Sequence, residues 1–166
     1  MIAADGIFTT PTPSNEPILG YAPGSPERTS LEAEVARQLG EVVEIPCVVG
    51  GKEIYTGSTV DITNPGDHSH VLAKAHMATP EVIEAAVQAS LAAQSEWAAL
   101  PWQDRAAILL KAADLLAGKY RDRLNAATML GQGKTCHQAE VDSACELIDF
   151  MRFNARFAQD ILNQQP

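Results

Sequence analysis

From Thr79 onward, apolar residues recur at three- and four-residue spacing, the period of a helix that buries one face. Ile83, Val87 and Leu91 stack in this way, with Val82, Ala86, Ala89 and Ala93 beside them. Thr79 is placed to cap, Pro80 to occupy the first helical position and Glu81 to face the positive end of the dipole. A second helix is predicted from near Pro101, with Ile108, Ala112, Leu115 and Leu116 on one side and Gly118 as its stop. A third, shorter helix runs to Gly131. A fourth opens at Thr135, where Gln138 three residues later completes a capping box. Val141, Ala144, Cys145, Ile148, Met151, Ala155, Ala158 and Leu162 share one face of it, and Leu147, Phe150, Phe157 and Ile161 crowd a second. A helix apolar over so much of its circumference expects cover on more than one side.

The first half reads differently. Residues 1–24 are rich in Pro, Thr, Ser and Gly and predict an extended arm. Ser25 and Pro26 open a short surface helix, in which Leu31, Val35 and Leu39 form a narrow stripe ended by Gly40. Glu44 to Val49 and Lys52 to Thr56 flank Gly50-Gly51, a hairpin signal because such a turn needs positive φ. Thr59 to Thr63 alternates as a third strand, Asn64-Pro65-Gly66-Asp67 is a turn, and Val71 to Met77 is a fourth strand. The expected architecture is α/β: an extended arm, a small β-meander, then a layer of helices.

Composition narrows the partners. A chain of 166 residues that is 46% hydrophobic can bury one core. Its formal net charge of -9 argues against a nucleic-acid backbone as partner, which requires a basic face. No window is long and apolar enough to span a bilayer. Met1-Ile2-Ala3-Ala4-Asp5 lacks the basic-then-apolar layout of a signal peptide. The cysteines, Cys47, Cys136 and Cys145, are odd in number and lack Cys-x-x-Cys spacing, which suits a reducing cytoplasm better than a disulfide scaffold or a zinc site.

The stretch richest in candidate chemistry is Gly131-Gln132-Gly133-Lys134-Thr135. A phosphate-binding loop needs a glycine five residues before the Gly-Lys-Thr glycine and a preceding strand. Thr128 fills that position, and Tyr120 to Leu130 reads as helix. The local alternative is a pair of helix terminators, Gly131 as a left-handed C-cap and Gly133 as a flexible link. A contact to a neighbouring subunit or domain is a third reading. Cys136 stands beside His137 and Lys134, which could lower its pKa, but no glycine-rich turn presents its thiolate. Cys145 reads as a small core residue. His68-Ser69-His70 with His76 lacks acidic or thiol partners at ligand spacing and reads as a solvated loop. Asp149 with Arg152, and Arg156 with Asp160, can pair locally. Glu146 stands on the most apolar helix with no basic residue three or four positions away. It either reaches solvent or lines something less polar.

Several segments together are similar to one family. They are Glu16-Pro17-Ile18-Leu19, Gly24-Ser25-Pro26-Glu27-Arg28, Ile45 to Gly51, Leu109 to Asp114, Met129 to Thr135, and Ala139-Glu140-Val141-Asp142 through Phe153-Asn154. These resemble the N-terminal part of the 1-pyrroline-5-carboxylate dehydrogenases, a branch of the aldehyde dehydrogenase superfamily. The resemblance implies an enzyme that oxidises L-glutamate γ-semialdehyde to L-glutamate with NAD in proline breakdown. A cysteine thiolate outside this chain would attack the aldehyde, hydride would pass to NAD, and water would release the acid. It also implies that residues 25–166 are the first part of an NAD-binding domain, and that the remainder of the polypeptide and further copies of the chain are the partners. Coenzyme site and nucleophile would both lie beyond this chain, which would be inactive alone. Residue by residue, the resemblance carries over one position, Glu146, as a wall of the aldehyde tunnel. The alternative function is a stand-alone helical interaction module that docks partners on the same apolar helix.

Overall fold

The computed structural model describes residues 6–165. Met1 to Asp5 and Pro166 lie outside the described residues, and with them the start of the predicted arm and the reading of the first residues. From Ile7 to Ala22 the arm has no helix or strand. Helix α1 (Pro26–Leu39) starts as predicted: the Ser25 hydroxyl accepts from the Arg28 N–H at 3.3 Å, and Gly40 caps the other end. Its stripe packs on α4 (Arg121–Gln132). Leu31 joins Tyr21 of the arm and Ala126 of α4 in one buried cluster, a burial contributing roughly 1.5–3 kcal/mol for the leucine alone.

Five strands follow: β1 (Val43–Ile45), β2 (Cys47–Val49), β3 (Lys52–Ile54), β4 (Thr59–Asn64) and β5 (Asp67–His76). They do not form the single meander that the sequence suggests. β2 and β3 pair as the expected hairpin, with φ of 56° at Gly50 and 76° at Gly51. β1 breaks away at Pro46 and pairs in parallel with β5, giving a three-stranded sheet ordered β1-β5-β4. Proline has no N–H for a ladder and fixes its own φ, so a strand run through it divides there. β5 also begins earlier than predicted. His68, Ser69 and His70 lie on the strand, not in a solvated loop, because the turn closes within Asn64 to Asp67, where the Asn64 side chain accepts from the Gly66 N–H at 2.8 Å.

The helical layer comprises α2 (Pro80–Ala99), α3 (Trp102–Ala117), α4, α5 (Cys136–Ala139) and α6 (Glu146–Asn163). Thr79 caps α2 as predicted. The junction after α4 corrects one assignment. Gly131 lies inside the helix, and Gly133 is the left-handed cap with φ of 67°, its N–H returning to the Met129 carbonyl at 3.1 Å. The capping box of Thr135 and Gln138 is present. The predicted fourth helix is not continuous: Glu140–Cys145 forms a π-helical turn between α5 and α6, in which the Glu146 N–H reaches back five residues to the Val141 carbonyl. α6 packs on α3 through Ala113, Ala144 and Ile148, all buried, with Leu116 and Met151 at the margin. Small residues at that contact let the helix axes approach.

Candidate functional site

Helix α6 has two unlike sides. On the inner side the arm runs along it and is fastened at three levels. The Gln159 carbonyl oxygen accepts from the Thr10 N–H and hydroxyl at 2.7 and 2.8 Å. The Asp149 carboxylate accepts from the Asn15 amide and the Glu16 N–H, each at 2.7 Å. At the third level, Glu140 of the π turn is completely buried. One oxygen accepts from the Leu19 N–H at 2.8 Å, and the other from the Tyr21 hydroxyl and the Asn125 amide, both at 2.8 Å. Arg121 donates to both oxygens. It also reaches Glu16 at 2.6 Å and the Pro17 carbonyl at 2.8 Å, while Arg152 holds the other Glu16 oxygen at 2.6 Å.

Two carboxylates thus meet two guanidiniums, and the cluster carries no net charge. That balance is what makes burial of ions tolerable. Burial pushes the Glu140 carboxyl up, but Arg121, the Leu19 N–H, the Tyr21 hydroxyl and Asn125 hold it below the usual carboxylate range. The Tyr21 phenol is pushed up by its own burial and by Glu140. Cys145 is pushed up to about 11, first by burial and then by the Glu140 charge. Burial and Glu140 also raise Cys136, opposite to the lowering that His137 and Lys134 suggest from sequence, since neither residue governs its surroundings. Asp149 serves the arm, and Arg152 serves Glu16; the expected Asp149–Arg152 pair does not form. Arg156 and Asp160 do pair, at 3.1 Å.

The outer side of α6 holds Glu146. It is exposed, and no hydrogen bond or ion pair engages its carboxylate among the described residues. Phe150, one turn on, is 61% exposed, and Phe157 and Ile161 continue the same stripe at 52% and 60%. A carboxylate at the head of an open aromatic and aliphatic surface can contribute charge or a hydrogen-bond acceptor at the edge of an apolar wall. The other candidates are not gathered around it. In the Gly131–Thr135 loop the preceding segment is helix, Lys134 is bound to Asp142 at 2.7 Å, and Thr135 is engaged in its cap. Such a loop has the geometry of a helix junction. His76 lies in the sheet, between Glu44 at 2.8 Å and the Gly57 N–H at 3.1 Å. Among the described residues, no group of three His, Cys, Asp or Glu side chains could hold a metal ion, and no helix is long and apolar enough to cross a membrane.

The buried cluster around Glu140 is what sequence reasoning missed. Glu140 stands between Ala139 and Val141 with no basic residue on the buried side of its own helix. Its partners come from 15, 19, 119 and 121 positions upstream. The available signal is an acid at the boundary of the apolar face that begins at Val141.

An α/β chain of arm, small sheets and helical layer, with a solitary carboxylate on an open apolar helix face, can now be placed. The family model described as the aldehyde dehydrogenase family matches residues 54–165; this chain belongs to that family. Among similar proteins is a delta-1-pyrroline-5-carboxylate dehydrogenase of Agaricus bisporus, 48% identical over 160 residues, covering 96% of this chain and 29% of the relative. A mitochondrial protein of the same name from Dictyostelium discoideum is 49% identical over 156 residues, covering 94% of this chain and 28% of the relative. The crystal structure of the delta-pyrroline-5-carboxylate dehydrogenase of Mycobacterium tuberculosis bound with NAD superposes with a TM-score of 0.95 at 49% identity, covering 98% of this chain and 31% of that one. The chain therefore spans less than a third of the length of these relatives.

Proposed function

We propose that this chain is the first section of an NAD-dependent L-glutamate γ-semialdehyde (1-pyrroline-5-carboxylate) dehydrogenase of proline catabolism. In this reading residues 1–24 are an arm, and residues 25–166 begin the NAD-binding domain. The remainder of the polypeptide supplies the nucleophile, and the intact enzyme assembles with further copies of itself. The observation that carries the reading is Glu146, an unpaired carboxylate at the head of the open Phe150–Phe157–Ile161 face, in a chain almost half identical to enzymes of this name. Glu146 forms one wall of the aldehyde tunnel, where its charge favours a substrate with an ammonium group over a plain aldehyde. Neither glycine cluster among the described residues has the strand-turn-helix setting of a dinucleotide cradle: Gly131 to Gly133 end a helix, and Gly50-Gly51 join the two strands of a hairpin. NAD is therefore assigned to the remainder of the polypeptide, and this chain by itself to no turnover. The three free thiols suit a reducing compartment, and we take it as cytoplasmic, whereas the Dictyostelium relative carries a mitochondrial name.

The test uses the full-length enzyme. Glu146→Gln keeps the shape and removes the charge. It should lower kcat/KM for glutamate semialdehyde ~10-fold more than for propanal. Equal, near-wild-type kinetics on both would return Glu146 to the role of a surface carboxylate. Separately, turnover by the isolated chain with NAD, abolished by Cys136→Ala, would overturn the assignment of the nucleophile to the remainder.

A further inference from the structure

In a regular α-helix, residues seven apart share a face, since two turns take about 7.2 residues. Ala139 and Glu140 are both completely buried. Continued as α-helix, that buried face would come round to Glu146 and Leu147. Both are exposed instead, and the next fully buried side chain of α6 is Ile148. The buried face has slipped by one residue, which is what a π turn inserts. Each inserted residue rotates everything after it by about 100°.

Both ends of the turn are anchored, to different elements. Glu140 is held by Arg121 and Asn125 of α4 and by Leu19 and Tyr21 of the arm. Ala144 and Ile148 are held against Ala113 of α3. In between, the Ser143 hydroxyl donates to the Thr128 hydroxyl at 2.6 Å. A uniform α-helix cannot satisfy both anchors, because their faces differ by one residue. If Glu140 were released, the segment could close to α geometry, and Glu146 would turn toward the buried side.

We infer that Glu140 is a positioning residue for Glu146: clamped by Arg121, it keeps the extra residue in the π turn and so points Glu146 and Phe150 outward. This rests on the reading of Glu146 as a wall of the aldehyde tunnel. It adds a specificity determinant that never touches substrate.

The experiment is a double-mutant cycle in the full-length enzyme, read as the ratio of kcat/KM for glutamate semialdehyde to that for propanal. Glu140→Gln should lower the ratio ~10-fold, and adding Glu146→Gln to it should lower the ratio by less than about 2-fold further. A merely structural Glu140 would lower both substrates alike and leave the Glu146→Gln effect intact in the double variant; that result overturns the inference and spares the reading of Glu146. If Glu146→Gln leaves the ratio unchanged in the otherwise native enzyme, both fall together. Should Glu140→Gln fail to fold, Tyr21→Phe removes one neutral donor to Glu140 and decides by the same criterion. Its expected effect is a ratio lowered ~2–3-fold and coupled to Glu146→Gln, while additive behaviour would overturn the proposal.

Discussion

The inner and outer sides of α6 are built from similar residues and live in different surroundings. Inside, Ile148 and Ala155 are buried, Ile148 together with Ala144 of the π turn against Ala113 of α3, and every charge that enters has a partner. Outside, Leu147, Phe150, Phe157 and Ile161 are open, and Glu146 stands alone among them. The inner side thus holds this chain together, whereas the outer side contributes little to its stability and is available for what the chain meets. Helix α2 repeats the contrast: Ile83, Val87 and Leu91 are exposed, and the helix buries no residue completely.

The largest test of that contrast is the buried cluster. Arg121→Ala leaves buried Glu140 without a guanidinium and Glu16 with Arg152 alone, and should destabilise the chain by about 3–5 kcal/mol, read from the urea midpoint. A loss no larger than that of an exposed substitution would mean that the arm and α4 are not coupled through Glu140.

Acidification should reach the same cluster more gently. The folded Glu140 titrates below its ordinary value near 4.3, so the stability it contributes is fully present above about pH 5 and is lost as pH falls through the depressed folded value. Urea midpoints between pH 7 and pH 3 should drop in the native chain and drop less in Glu140→Gln. Parallel profiles would assign the acid sensitivity to other carboxylates.

The loop after α4 provides a pair of opposite sign. Gly133→Ala places a side chain at φ of 67°, with its Cβ 3.4 Å from Pro65, and should cost roughly 1–2 kcal/mol. Gly131→Ala adds a methyl to a helix interior where nothing lies within 4 Å, and should stabilise by up to about 1 kcal/mol. Thermal melts of the two variants distinguish cap from interior; a reversal would restore Gly131 as the cap.

The smallest stability effect belongs to the outer side. Phe150→Ser with Phe157→Ser should change the urea midpoint by no more than about 0.5 kcal/mol per substitution, the range of surface changes. The same pair should reduce self-association of the isolated chain in sedimentation, because open apolar patches drive it. A large loss of stability would show that the face already packs within this chain. A native chain that is monomeric with a sharp melt would favour the self-contained interaction module.

Much of this arrangement was legible in the order of residues. The helix starts at Ser25, Thr79 and Thr135, the Gly50-Gly51 hairpin, the turn at Asn64 to Asp67 and the apolar inner stripe of the last helix as far as Ala155 depend on neighbours within about four positions, and local rules reach that far. Beyond Ala155 the expected stripe fails, since Ala158 and Leu162 are exposed and Gln159, bonded to the arm, is buried in their place. The family resemblance was carried by contiguous runs and was equally visible. Tertiary structure decided what depends on distant partners. It placed β1 beside β5, gave the αL position to Gly133 instead of Gly131, took Asp149 and Arg152 for the arm, and buried Glu140 against Arg121. The π turn belongs to the same group: no local signal calls for an extra residue between Ala139 and Glu146. It exists because α4 with the arm holds one end of the helix and α3 holds the other, one residue out of register, and a backbone can absorb that difference more cheaply than a buried ion pair can be broken.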